Sequence, residues 1–329
     1  MRTRSLIATL GVAALLLVGC GGGSSGSQLS LVAYSTPREA YGELISLFRD
    51  TPEGEDVSVT QSYGSSGEQA RAVIAGLEAD VVALSLAPDM DTLVDAGVVD
   101  ASWSDQPNDG MVTDSVVVLI VREGNPKGIR DWDDLLRPDV EVVTPNPFTS
   151  GGARWNVMAA YGAWRNAGLT DEEAQERLLR LFENVVVQDK SARDSLNTFV
   201  SGKGDVLIGY ENEALFSQAQ GEDFPFVIPP STILIENPIA VTSASESAGL
   251  ATALLEFLWS PDAQQVFADN GYRPVIESVL EANRQKFPAV SDLFTIDNLG
   301  GWDEVQERFF DPRSGIMAEI ESQVGGVTG

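Results

Sequence analysis

Short apolar runs alternate with stretches of helical spacing along most of the chain. Residues 29–34 (LSLVAY) form one such run, and Ser35-Thr36-Pro37 follows, with Pro37 suited to a first helical position. Ala40, Tyr41, Leu44, Ile45 and Phe48 then recur at the spacing of one buried helix face. The same strand-then-helix pattern returns at residues 57–76 and at residues 80–97, where Pro88 opens the helix. Residues 115–122 are almost wholly apolar, and Asn125-Pro126 marks a turn after them. A short strand at 141–143 leads to a helical pattern from Ala153 to Ala167, closed by Gly168. Beyond it come an acidic amphipathic helix (171–182), a strand (185–189), a helix from Lys190-Ser191-Ala192-Arg193 to about Val200, and a strand ending at Tyr210. Residues 233–241 (ILIENPIAV) read as one more strand, Ser260 caps a helix opened by Pro261, and the remaining residues read as helices. This alternation predicts an α/β fold of mostly parallel sheets flanked by helices.

The junctions between strands and helices carry the candidate chemistry. The most distinctive is TPNPFTSGGARWN (144–156), where a strand passes through a Pro/Asn turn to Ser150-Gly151-Gly152 and into a helix. The first N–H groups of a helix lack intrahelical partners and point at whatever lies before them. Glycine there lets the backbone approach a ligand closely. Comparable junctions lie at Ser35, at Ser66-Gly67 and at Ala192. A plain turn, with serine serving only as a helix cap, is the alternative for each. Open α/β sheets place ligands at such strand ends. Arg38, Arg154 and Arg193 each stand close to a helix start and read as ion-pair partners on the helix flank; direct contact with an anion is the alternative. Trp155 and Trp164 read as packing residues. Glu211 and Glu213, at a spacing that turns side chains apart on a helix, do not read as a catalytic pair.

Composition narrows the function. The chain has no histidine and one cysteine among 329 residues, which removes His-based triads and soft-metal sites. A formal net charge of −28 at pH 7 argues against nucleic-acid binding. The acids are spread along helices, as on a solvated surface. Arg2 and Arg4 precede an apolar run from Leu6 to Val18, and Leu17-Val18-Gly19-Cys20 has the spacing of a bacterial lipoprotein signal. Residues 1–20 are therefore expected to be a signal peptide, Cys20 the lipidation site, and residues 21–28 a flexible tether; an unlipidated signal peptide is the alternative.

The stretches QSYGSSGEQA, EADVVALSLAPDMD, REGNPKGIRDWDDL, TPNPFTSGGARWN, SARDSLNTFV, GDVLIGYENEAL, NGYRP and LFTIDNLGGW, in this order, resemble the prokaryotic sulfate/thiosulfate-binding proteins of ABC importers. The likeness covers essentially the whole chain after the tether. It implies a two-lobed periplasmic-binding-protein fold (type II); the strands read near residues 116 and 238 place lobe 1 at 29–116 and 238–329 and lobe 2 at 117–237. Together with the lipoprotein signal it leads to the expectation of an extracytoplasmic, lipid-anchored, monomeric receptor that captures sulfate or thiosulfate and delivers it to the permease, without catalysis and without a cofactor or metal. Backbone donors would be Ser35, Ser66, Gly151, Gly152 and Ala192, with Ser150 as hydroxyl donor. Two positions depart from the family pattern. Ser35 replaces an Asp that contacts only through its backbone. Tyr210 replaces a Trp whose indole N–H donates, and a phenol can also accept a hydrogen bond. An acceptor tolerates a protonated ligand such as hydrogen phosphate, so receptors for phosphate, molybdate or another oxyanion stay open. An exported ester hydrolase is the rival from another class, disfavoured by the missing His and Cys.

Overall fold

The computed structural model describes residues 27–326; the expected signal peptide, Cys20 and most of the tether lie outside the described residues. The chain opens with β1 (Gln28–Tyr34), α1 (Arg38–Phe48), β2 (Ser58–Gly64), α2 (Ser66–Ile74), β3 (Val81–Ala83), α3 (Ala87–Asp95) and the long strand β4 (Met111–Val121). Next come β5 (Val142–Pro145), α4 (Gly151–Asn166), α5 (Asp171–Glu183), β6 (Val185–Asp189), α6 (Ala192–Val200), β7 (Val206–Tyr210) and α7 (Glu211–Ala219). Strands β8 (Phe226–Val227) and β9 (Ser231–Val241) precede α8 (Ala248–Leu258), α9 (Pro261–Asp269) and α10 (Glu277–Ala282). The chain closes with β10 (Asp292–Phe294), α11 (Gly301–Phe310) and α12 (Ile316–Val324).

Strands follow the order β2-β1-β3-β9-β4-β7-β5-β6. β1 lies parallel to β2 and β3, and β5 lies parallel to β6 and β7. Between these two parallel half-sheets run β4 and β9, antiparallel to each other and to the half-sheet strand beside each. Each is 11 residues long, and each changes partner midway. β4 pairs with β9 through Val116 and with β7 from Val117 onward. β9 pairs with β4 through Pro238 and with β3 from Ile239 onward.

Both faces of each half-sheet are covered, which is why β1 reads as a nearly continuous apolar run rather than an alternating one. Leu29, Leu31 and Ala33 bury against Tyr41, Leu44 and Phe48 of α1 and Leu254 of α8. On the opposite face Val32 and Val82 meet Ala70 and Val73 of α2 and Leu93 of α3. In the second half, Val143 and Leu207 pack on Leu196 and Phe199 of α6, while Val142, Val206 and Ile208 share a core with Trp155 and Met158 of α4. Phe309, Phe310, Met317 and Ile320 of α11 and α12 join that same core with Leu178 and Leu181 of α5. The expected lobe boundary at residue 238 does not by itself fix where the last helices pack: α12 lies on α5 of the second half, while α11 also touches α3 of the first. An amphipathic helix carries an apolar face but no mark of which sheet it will cover.

Candidate functional site

The turn between β5 and α4 is built on Asn146. Its N–H donates to the Asp189 carbonyl (2.7 Å), its own carbonyl accepts from Ser150 N (2.9 Å), and its side-chain oxygen accepts from Phe148 N (2.8 Å). This fixes Ser150 as the residue that caps α4, with Gly151 and Gly152 as the first two helical residues. The side chains of Thr170, Ser191 and Ser260 cap their own helices by accepting from Glu173, Asp194 and Ala263 N–H. Ser150 does not bind its helix in this way.

Around that helix start the structure gathers most of the residues singled out from the sequence. A Cβ placed on Gly152 would lie 3.3 Å from Ala192 Cβ, 3.3 Å from Tyr210 Cε1 and 3.4 Å from Ser150 Oγ. One placed on Gly151 would lie 2.0 Å from Leu86 Cδ2 and 2.7 Å from Ser85 Oγ. A side chain at Gly151 would force Leu86 or Ser85 to move, whereas one at Gly152 would only be tightly packed. Ala192 is the first residue of α6, and Ser66 the first of α2, whose cap is Ser65. Ser66 is thus not a cap: its hydroxyl accepts the N–H of Ser85 (3.0 Å). Ser35 is half-buried at the end of β1, beside Thr36, whose carbonyl accepts from Arg193 Nη2 (2.9 Å). Pro37 caps α1 rather than opening it, a one-residue difference.

Ser85, which the sequence pattern does not single out, is firmly held beside this helix start. Its carbonyl accepts from Trp155 Nε1 (2.8 Å) and from Asn237 Nδ2 (2.9 Å), and its hydroxyl pairs with the Tyr210 phenol (2.7 Å). Asn237 is itself set by the Tyr34 and Thr113 hydroxyls, which donate to its side-chain oxygen (3.0 and 3.2 Å). The signal was available: Ser85 stands between β3 and α3, the same kind of junction as the others. Trp155 was read as a packing residue, and it packs edge-on against Trp302 while also donating to Ser85. Burial pushes the Tyr210 phenol pKa well above its ordinary value, so the hydroxyl keeps its proton.

Charged side chains frame the cluster and are paired with one another. Arg193 donates to Glu213 (2.9 Å twice), to Glu39 of α1 (3.0 and 3.1 Å) and to the Thr36 carbonyl. Burial works against the Arg193 cation, and the Glu213 carboxylate beside it more than reverses this, so its pKa rises. Arg154 lies 3.6 Å from Asp89 of α3 and donates to the Pro147 carbonyl (3.0 Å). Arg273 forms a buried bidentate pair with Glu211 (2.7 and 3.0 Å). The Arg193–Glu39, Arg154–Asp89 and Arg273–Glu211 pairs join elements of the two halves. Arg38, the third arginine marked in the sequence, lies over the Tyr63 ring, 4.5 Å from its centre. Glu211 and Glu213 are therefore ion-pair acids. Among the described residues no group of three or more acids, histidines or cysteines could hold a metal ion, and no helix is long and apolar enough to cross a membrane.

Two half-sheets joined by exchanged strands, with helix starts facing one another between them, define a solute-binding protein. Residues 29–273 match the family model for bacterial extracellular solute-binding proteins. The sulfate-binding protein of Synechococcus elongatus is 41% identical over 329 aligned residues, covering 95% of this chain and 94% of that one. The thiosulfate-binding protein of Escherichia coli is 36% identical, covering 91% and 92%. Among solved structures, the sulfate-binding protein SubI from Mycobacterium tuberculosis superposes with a TM-score of 0.84 at 42% identity, covering 87% of this chain and all of that one. The chain belongs to the bacterial extracellular solute-binding proteins, with the sulfate- and thiosulfate-binding proteins as its kin, and its fold is that of the type II periplasmic binding proteins.

Proposed function

We propose that this protein captures sulfate or thiosulfate between its two halves and delivers it to an ABC permease. Binding rests on neutral donors: the N–H groups of Ser35, Ser66, Gly151, Gly152 and Ala192, and the hydroxyls of Ser150 and Tyr210. The observation that carries this reading is the start of α4, where a serine hydroxyl that does not cap its helix stands beside two glycines, Gly151 against Ser85 and Leu86 and Gly152 against Ala192 and Tyr210. Hydrogen bonds to a charged partner contribute about 1.5–3 kcal/mol each, so five to seven of them offset dehydration and leave affinity of about micromolar. Because the nearby arginines are already matched by Glu213, Glu39 and Asp89, the anion meets dipoles rather than free cations. An acidic protein can hold an anion on these terms.

The lobes divide near residues 116 and 238, where β4 and β9 change partners, and these strands serve as the hinge. Maturation at Cys20 would anchor a monomer to the outer face of the membrane, with the tether leaving the cleft free to meet the permease. Nothing is turned over; a chromogenic sulfate or phosphate ester exposed to the protein should stay intact. Calorimetric titration of residues 27–329 with sulfate and thiosulfate at pH 7 and 8.5 tests the reading. Saturable heat with about micromolar affinity for either anion is expected at both values. No heat from either would overturn it.

A further inference from the structure

Ser85 and Tyr210 come from opposite halves of the molecule and are both almost wholly buried. Their oxygens lie 2.7 Å apart, and either can be the donor. Ser85 cannot retreat, since its N–H is bound to Ser66 and its carbonyl to Trp155 and Asn237. Its hydroxyl also lies where a Gly151 side chain would begin, so the pair borders the start of α4.

A bonded pair of hydroxyls has a property that no single N–H has. One O–H is used within the pair, and the other remains to point outward, while both oxygens keep lone pairs. Reversing the inner bond exchanges the roles. Toward a fully ionised oxyanion the pair presents a donor. Toward a singly protonated one it can accept the anion's O–H on one oxygen and donate from the other. A cradle made only of N–H donors offers that proton nowhere to go, and the mismatch costs about 1–3 kcal/mol.

We infer that Ser85 is a specificity-determining residue, and that the Ser85–Tyr210 hydroxyl pair admits singly protonated tetrahedral oxyanions, hydrogen phosphate above all, to the site that takes sulfate. This rests on the functional reading above and extends it. Ser85 acts by holding the phenol in place and by completing the two-way proton arrangement. Because the partners sit on different halves, the arrangement exists only when the halves are together.

The test is calorimetric titration at pH 7 of the wild-type chain, Ser85→Ala and Tyr210→Trp with potassium sulfate and with inorganic phosphate, each variant checked by thermal melting. The wild type should bind both anions, phosphate within about a hundredfold of sulfate. Ser85→Ala and Tyr210→Trp should each shift the ratio of phosphate to sulfate affinity against phosphate by about tenfold or more. A structural role alone would weaken both anions alike and leave the ratio unmoved, which contradicts the inference. Wild-type binding of sulfate with no phosphate heat contradicts it too and leaves the functional reading standing. Failure of both anions to bind the folded wild type removes the functional reading and the inference together.

Discussion

The cradle at the start of α4 and the clasp beside it are close in space and opposite in chemistry. In the cradle, backbone N–H groups and hydroxyls converge without a full charge among them. In the clasp, Arg193 is shared by Glu213 and Glu39, and Arg154 faces Asp89. Arg193 directly follows Ala192, so one helix turn supplies a neutral donor to the cradle and a cation to the clasp. If the cradle is the binding site, the difference explains how a chain of net charge −28 can handle an anion. On the proposed reading full charges hold the halves together and partial charges face the ligand. An exposed cation in the cleft would attract any anion; fixed dipoles select by geometry and by protonation.

The comparison can be broken at either end. Arg193→Ala should have the largest effect, because it leaves Glu213 buried without a partner; a loss of about 3–5 kcal/mol in chemical unfolding is expected. Gly151→Ala attacks the cradle instead. Its methyl group would meet Leu86 and Ser85, both held in place, and sulfate affinity measured by calorimetry should fall by about a hundredfold or more. Ser150→Ala removes one hydroxyl and no charge; affinity should drop about tenfold with unfolding nearly unchanged. Glu39→Gln should be smallest. Its side chain is 39% exposed, so the pair is screened, and stability should change by less than about 1 kcal/mol. If Glu39→Gln weakened sulfate more than Ser150→Ala did, the division between clasp and cradle would be wrong.

Much of the scaffold could be read from the chain because local rules set it. The face of α1 formed by Ala40, Tyr41, Leu44, Ile45 and Phe48 is buried as its spacing implies, since helical periodicity alone decides which residues share a side. That Gly151 and Gly152 open α4 was legible for a related reason: a strand, a turn and a helix within 13 residues leave few ways to aim the backbone. Ser85 was not legible. Its importance comes from Tyr210, Trp155 and Asn237, which lie 70 or more positions away along the chain. The partners of Arg193 and Arg154 were hidden likewise; sequence suggested ion pairs but not that each would bridge the halves. The packing of α11 and α12 was not legible either: an apolar helix face does not say which sheet it will cover, and α12 meets α5 while α11 also reaches α3.

The central claim is that uncharged backbone donors hold the anion. Amide proton shifts observed by nuclear magnetic resonance on addition of sulfate test it directly. The account predicts large downfield shifts for the N–H groups of Ser35, Ser66, Gly151, Gly152 and Ala192, with the Arg154 and Arg193 side-chain N–H signals little changed. Guanidinium signals that move while the Gly151 and Gly152 amides stay put would contradict it.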